Sequence, residues 1–134
     1  MDEIIKQING FAELNANWDT YGAYPISGIS IDIAIAILRK SNIAPTGACP
    51  LNDGGILLVW WNEKSDLTVY EIEVDISPNG NIGCLIVSGC KDEPSYIEHD
   101  NVPASYVLEQ IDTWKDKKLY DIQKSLRIEL IPFN

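Results

Sequence analysis

Residues 67–76 constrain the fold more than any other stretch of the chain. Tyr70, Ile72, Val74 and Ile76 alternate there with Glu71, Glu73 and Asp75. A helix would spread these carboxylates around its circumference, whereas an extended chain puts successive side chains on opposite faces. The segment therefore predicts a strand with one face in the core and the other in water. Such half-wetted strands belong to antiparallel sheets, because parallel strands are normally buried on both sides. Two neighbours are at hand. Ile56 to Trp61 is a continuous apolar run, and Ile82 to Val87 follows the turn Ser77-Pro78-Asn79-Gly80-Asn81. Connections this short imply an antiparallel meander.

Helical spacing flanks the strands. Ile4, Ile8, Phe11 and Ala12 form one stripe, predicting a helix over residues 2–13, with Asp2 and Glu3 in its first turn complementing the dipole. Residues 29–40 carry isoleucine at every second position, as a strand would. Yet Ile31, Ala34, Ile35 and Leu38 also make a helical stripe, and Arg39-Lys40 suit a helix C-terminus. We read a deeply buried helix capped by Ser27 or Ser30. Residues 14–28 and 41–54 read as loops. Residues 91–101 are polar, with a short strand at Tyr96-Ile97. Ala104, Val107, Leu108, Ile111 and Trp114 predict a later helix after Pro103, and Leu126, Ile128 and Leu130 alternate as a last strand. The expected fold is an α+β two-layer sandwich: N-terminal helices and a later helix packed on an antiparallel sheet of three to four strands. The 134 residues suit a single domain over 1–134.

Charge narrows the partners. The net charge is -10, and it is concentrated: residues 41–114 hold twelve acids against only Lys64 and Lys91, while residues 115–134 are net basic. Direct nucleic-acid binding is disfavoured, since that affinity comes from Lys and Arg neutralising phosphates. An anionic membrane surface is disfavoured for the same reason. A basic protein partner fits, and so does plain solubility. The odd count of three cysteines and the acidic start Met1-Asp2-Glu3 lead us to expect a reduced, cytoplasmic protein.

One loop stands apart. In Leu14-Asn15-Ala16-Asn17-Trp18-Asp19-Thr20-Tyr21-Gly22-Ala23, the residues Asn15, Asn17 and Asp19 have the spacing that opens an EF-hand loop. Thr20 then occupies the glycine position, and no glutamate closes the loop. A structured turn accounts for it otherwise: Trp18 and Tyr21 plug the gap between helix ends and sheet, and Asp19 accepts from nearby amides. The segment resembles a motif, L-x-x-N-W-D-x-Y-G-A, of many small bacterial and phage proteins without an assigned activity. Pro25-Ile26-Ser27, Gly54-Gly55, Glu71-Ile72-Glu73 and Pro78-Asn79-Gly80 continue the likeness over roughly residues 11–87. The resemblance implies a gene of mobile elements, where toxin control, defence and counter-defence are common tasks.

No catalytic constellation emerges. His99 is the single histidine, between Glu98 and Asp100, and no nucleophile motif accompanies it. Cys84 and Cys90 read as small buried side chains, and Cys49 stands in a loop without a nearby base to activate it. Neither phosphate-binding glycine pattern occurs. No catalytic residue, metal or cofactor is expected.

The acidic stripe remains. Glu71, Glu73 and Asp75 lie about 6.6–6.8 Å apart along one strand face, and Glu63, Asp66, Asp92, Glu93, Glu98 and Asp100 extend the charge. The leading expectation is a non-catalytic acidic interaction protein, an inhibitor or antitoxin-like protein that occludes a basic, nucleic-acid-binding surface of its partner. Two alternatives stand beside it. One is a small-ligand domain or enzyme with its site at Asn17, Trp18, Asp19 and Tyr21 in the 14–25 loop. The other is a structural subunit of a larger assembly, suggested by Trp60 and Trp61, which must face opposite sides of one strand.

Overall fold

The structure, a computed structural model, describes the backbone of residues 1–62 and 67–130 and the side chains of residues 1–62 and 67–118. Helix α1 (Asp2–Gly10) runs into a 3-10 turn (Phe11–Glu13) and is followed by α2 (Gly28–Ser41). Five strands come next: β1 (Gly47–Pro50), β2 (Ile56–Trp60), β3 (Thr68–Ile76), β4 (Ile82–Cys90) and β5 (Glu93–His99). Helix α3 (Ala104–Leu130) is last. The strands form one open antiparallel sheet in chain order, the expected meander.

The fold is α+β as expected, but its sheet has five strands rather than three or four. Strand β1 lies inside the stretch read as a loop. Its Gly47 and Pro50 are turn residues by composition, and pairing with β2 makes it a strand. Strand β5 is seven residues long rather than a fragment at Tyr96-Ile97. The strand expected at Leu126, Ile128 and Leu130 is instead the end of α3. Leu119, Ile122, Leu126 and Leu130 recur there at helical spacing, and no glycine or proline stands between Pro103 and Pro132. That longer pattern overrides the short alternation.

Helix α2 settles its ambiguous period in favour of the helix. Ile31, Ala34, Ile37 and Leu38 are buried, whereas Ile29 is exposed and Ile33 and Ile35 are half-buried, so the helix is not buried all round. Ser27 caps it, its hydroxyl accepting from the Ile29 amide. Asn42 ends it in the left-handed region at φ 54°, a conformation that Asn tolerates. Two serines tie this helix to the β3–β4 turn: Ser27 Oγ donates to the Pro78 carbonyl and Ser30 Oγ to the Ser77 carbonyl, both at 2.8 Å.

The core follows strand parity. Ile56, Leu58 and Trp60 of β2, Ile72, Val74 and Ile76 of β3, and Ile82, Cys84 and Ile86 of β4 all belong to one hydrophobic cluster. Ile8 of α1, the buried stripe of α2, and Val107, Ile111 and Trp114 of α3 belong to the same cluster. Each fully buried aliphatic side chain of this size contributes roughly 1.5–3 kcal/mol. Trp60 is fully buried and donates its indole N–H to the Ile43 carbonyl at 3.2 Å. Its neighbour Trp61 is 40% exposed, as adjacent strand positions require.

Candidate functional site: the acidic sheet face

Register fixes what surrounds the three carboxylates of β3. Glu71 is opposite Val87 of β4. Glu73 lies between Val59 of β2 and Leu85 of β4, and Asp75 between Leu57 and Gly83. One strand further out, Glu98 of β5 is opposite Leu85, and Tyr96 is opposite Val87. Directly opposed side chains in an antiparallel pair have Cβ atoms about 4.5–5.5 Å apart, so each acid stands beside at least one aliphatic residue. The face is therefore a column of carboxylates framed by aliphatic columns, with Trp61 and Tyr96 toward one end. None of the residues in these rows is basic.

Exposure completes the description. Ile72, Val74 and Ile76 are fully buried; Glu71 and Glu73 are half-buried and Asp75 is exposed, so the acids do stand on the side away from the core. Tyr70 is half-buried, packed against the core rather than within it, with Lys117 Nζ 4.6 Å from its ring centroid. Val59 and Val87 are more than nine-tenths buried, although they lie outside the core cluster. At the end of the column, Asp75 lines a shallow cleft of about 530 Å³ beside Asp100, Asn79, Asn81 and Asn101. Partial desolvation raises the Asp75 carboxyl above its usual pKa, and the nearby charges of Asp53 and Asp100 add to the effect. Among the described residues no group of three or more His, Cys, Asp or Glu is placed to hold a metal ion.

Of the residues singled out in the sequence, the structure unites Glu71, Glu73 and Asp75 and adds Glu98 in the same rows. Glu63 and Asp66 lie outside the described residues. Asp92 is in the β4–β5 turn, and Glu93 is opposite Cys90 on the other parity. The contribution of Leu57, Val59, Leu85 and Val87 escaped the sequence because it depends on register. Glu98 was among the acids expected to extend the charge and Tyr96 lay in the short strand expected there, but their places opposite Leu85 and Val87 depend on the same register.

The 14–25 loop is held by its own polar atoms. Asn17 Oδ1 accepts from the Gly22 amide at 2.7 Å. Asp19 Oδ1 accepts from the Tyr21 and Ala23 amides at 2.8 and 3.0 Å, as expected. The Trp18 indole donates to the Tyr24 carbonyl at 2.9 Å. Asn17 and Thr20 take φ of 64° and 65°, which these bonds sustain. Trp18 packs against the core, but Tyr21 does not plug anything: it is 91% exposed.

The other reactive groups are dispersed. His99 is exposed and meets Tyr106 edge to face, with ring centroids 5.6 Å apart. Burial holds Cys84 protonated, its pKa pushed up to about 11. Cys90, the last residue of β4, is exposed, not buried; Cys49 is exposed on β1. No helix among the described residues is long and apolar enough to cross a membrane. Comparison with protein-family models, curated proteins and solved structures finds no match to this chain.

Proposed function

We propose that this chain is a non-catalytic interaction protein that binds a basic surface of a partner through the acidic face of its sheet. The reading takes helices and sheet as two layers, the helices on one side and this face left for a partner. One observation carries it: Glu71, Glu73, Asp75 and Glu98 share a face with Leu57, Val59, Leu85 and Val87, and no described residue in these rows is basic. A merely solubilising face would need no aliphatic frame. Charges for steering, set beside the half-buried Leu57 and Leu85 and the exposed Tyr96, whose remaining apolar surface a partner would cover, suit a docking surface for a complementary protein. The likeness of the 14–23 motif to proteins of mobile elements supports an inhibitor or antitoxin role, in defence or counter-defence. The partner's basic surface would then be one that binds nucleic acid, occluded when the complex forms.

The test is E71K/E73K/D75K. These side chains point away from the core, so the triple variant should fold, each change moving stability by about 0.5 kcal/mol or less. Affinity capture should retain a basic protein with the parent chain and lose it with the variant, because like charges across an interface cost several kcal/mol. A folded variant that keeps the same partner would refute the reading.

A further inference from the structure

We propose that the open edge of β5 takes up an extended segment of the partner as a sixth strand, and that this segment alternates basic and aliphatic residues. The inference rests on the docking role proposed above and names how that docking is made. Its first support is the unequal treatment of the two sheet edges. On β1 the edge is four residues long, ends at Pro50, and is guarded from within: Gln7 Nε2 of α1 donates to the Ala48 carbonyl at 3.4 Å. On β5 the edge is seven residues long and, among the described residues, pairs only with β4. All of its residues but Pro94 are exposed. An unguarded strand edge presents unpaired N–H and C=O groups, a template for strand addition.

The second support is the side chains. Tyr96 on the outer parity is 66% exposed, and Ile97 on the inner parity is 48% exposed. A solvent-facing edge strand has no need of apolar groups on both faces. Along the same stretch stand Asp92, Glu93, Glu98 and Asp100, with His99 between the last two. This charge selects the occupant. A second copy of the chain would bring four more carboxylates to the edge, so self-pairing is opposed. A basic strand is attracted instead.

Strand periodicity specifies the incoming sequence. Positions opposite Glu98 and Tyr96 fall on the outer face and positions opposite Ile97 on the inner face. Lys or Arg opposite Glu98 makes an ion pair, and Arg beside Tyr96 can stack on its ring. Between them an aliphatic residue, best β-branched, covers Ile97. The outer-face bases also continue the rows of Glu73 and Glu71, so the edge and the acidic face act as one surface.

The experiment uses the full chain, labelled with nitrogen-15, and a synthetic peptide that repeats Arg-Val. A second peptide has the same side chains but N-methyl groups on alternate amides, so it keeps its charge and cannot pair as a strand. At ~1 mM peptide, where even millimolar affinity gives half occupancy, the unmodified peptide should shift the amides of β5 and slow their hydrogen exchange. It should bind at least about tenfold tighter than the methylated one, and Glu98→Lys should weaken it by a similar factor. Equal binding of both peptides, with shifts confined to Glu71, Glu73 and Asp75, would overturn strand addition and leave the acidic-face reading standing. Shifts at β1 instead of β5 would also overturn it. Absence of binding by either peptide would remove both proposals.

Discussion

Asp75 shows how a single carboxyl records its surroundings. Its desolvation and its acidic neighbours Asp53 and Asp100 raise its pKa in the folded state. The native chain then holds that proton more tightly than the unfolded chain does, so stability falls as pH rises through the carboxylate range. Asp75→Asn removes the ionisation and should raise the melting temperature at pH 7. The gain should fade as pH drops toward about 4, where the parent carboxyl is itself becoming protonated. Melting curves across this range check the sign, and a variant less stable than the parent at pH 7 would refute it. Ser30 records the opposite situation. It is a fully buried polar side chain, and its hydroxyl is satisfied by the Ser77 carbonyl rather than by water. Such a pairing removes the desolvation penalty that an unpartnered hydroxyl would impose.

Among the elements, the loop before β2 depends most on its backbone. Gly54 has φ +95°, and a Cβ there would stand 2.9 Å from the Pro25 carbonyl oxygen. Gly54→Ala should therefore cost about 1–3 kcal/mol, seen as a lower urea midpoint with an unchanged slope. Gly10 at the end of α1 has open space around it, so Gly10→Ala is the control and should be neutral or stabilising. Equal stability of the two variants would exclude the crowding argument. The elements also differ in how plainly the sequence announced them. Strand β3 was readable because from Tyr70 to Ile76 apolar residues and carboxylates alternate without a break. Strand β1 was not, because its four residues include Gly47 and Pro50 and only the ladder to β2 makes them extended. The end of α3 was misread because a five-residue alternation was weighed without the heptad-scale spacing from Leu119 to Leu130. For the site, the acidic column was visible in one segment. Its aliphatic frame was not, since Val59 and Leu85 meet Glu73 only through pairing of segments far apart in the chain.

At the scale of the whole molecule, charge acts on the chain and on the proposed complex in opposite directions. A net charge of -10 on 134 residues opposes compaction through self-repulsion. Raising NaCl from about 0.05 to 0.5 M shortens the screening length severalfold. The free protein should melt higher in the stronger salt, while the proposed complex with a basic partner should dissociate more readily. Thermal scans and binding measured in the same two buffers check this, and a melting temperature that falls with salt would contradict it. The alternation of β3 carries a further consequence, for inheritance. Inserting or deleting one residue between Tyr70 and Ile76 would exchange the two faces beyond the lesion, sending carboxylates into the core and isoleucines into water. An insertion of two residues would leave the faces as they are. Odd-length lesions in this strand therefore disable folding and the proposed recognition together, so no well-folded, non-binding intermediate survives along that mutational route.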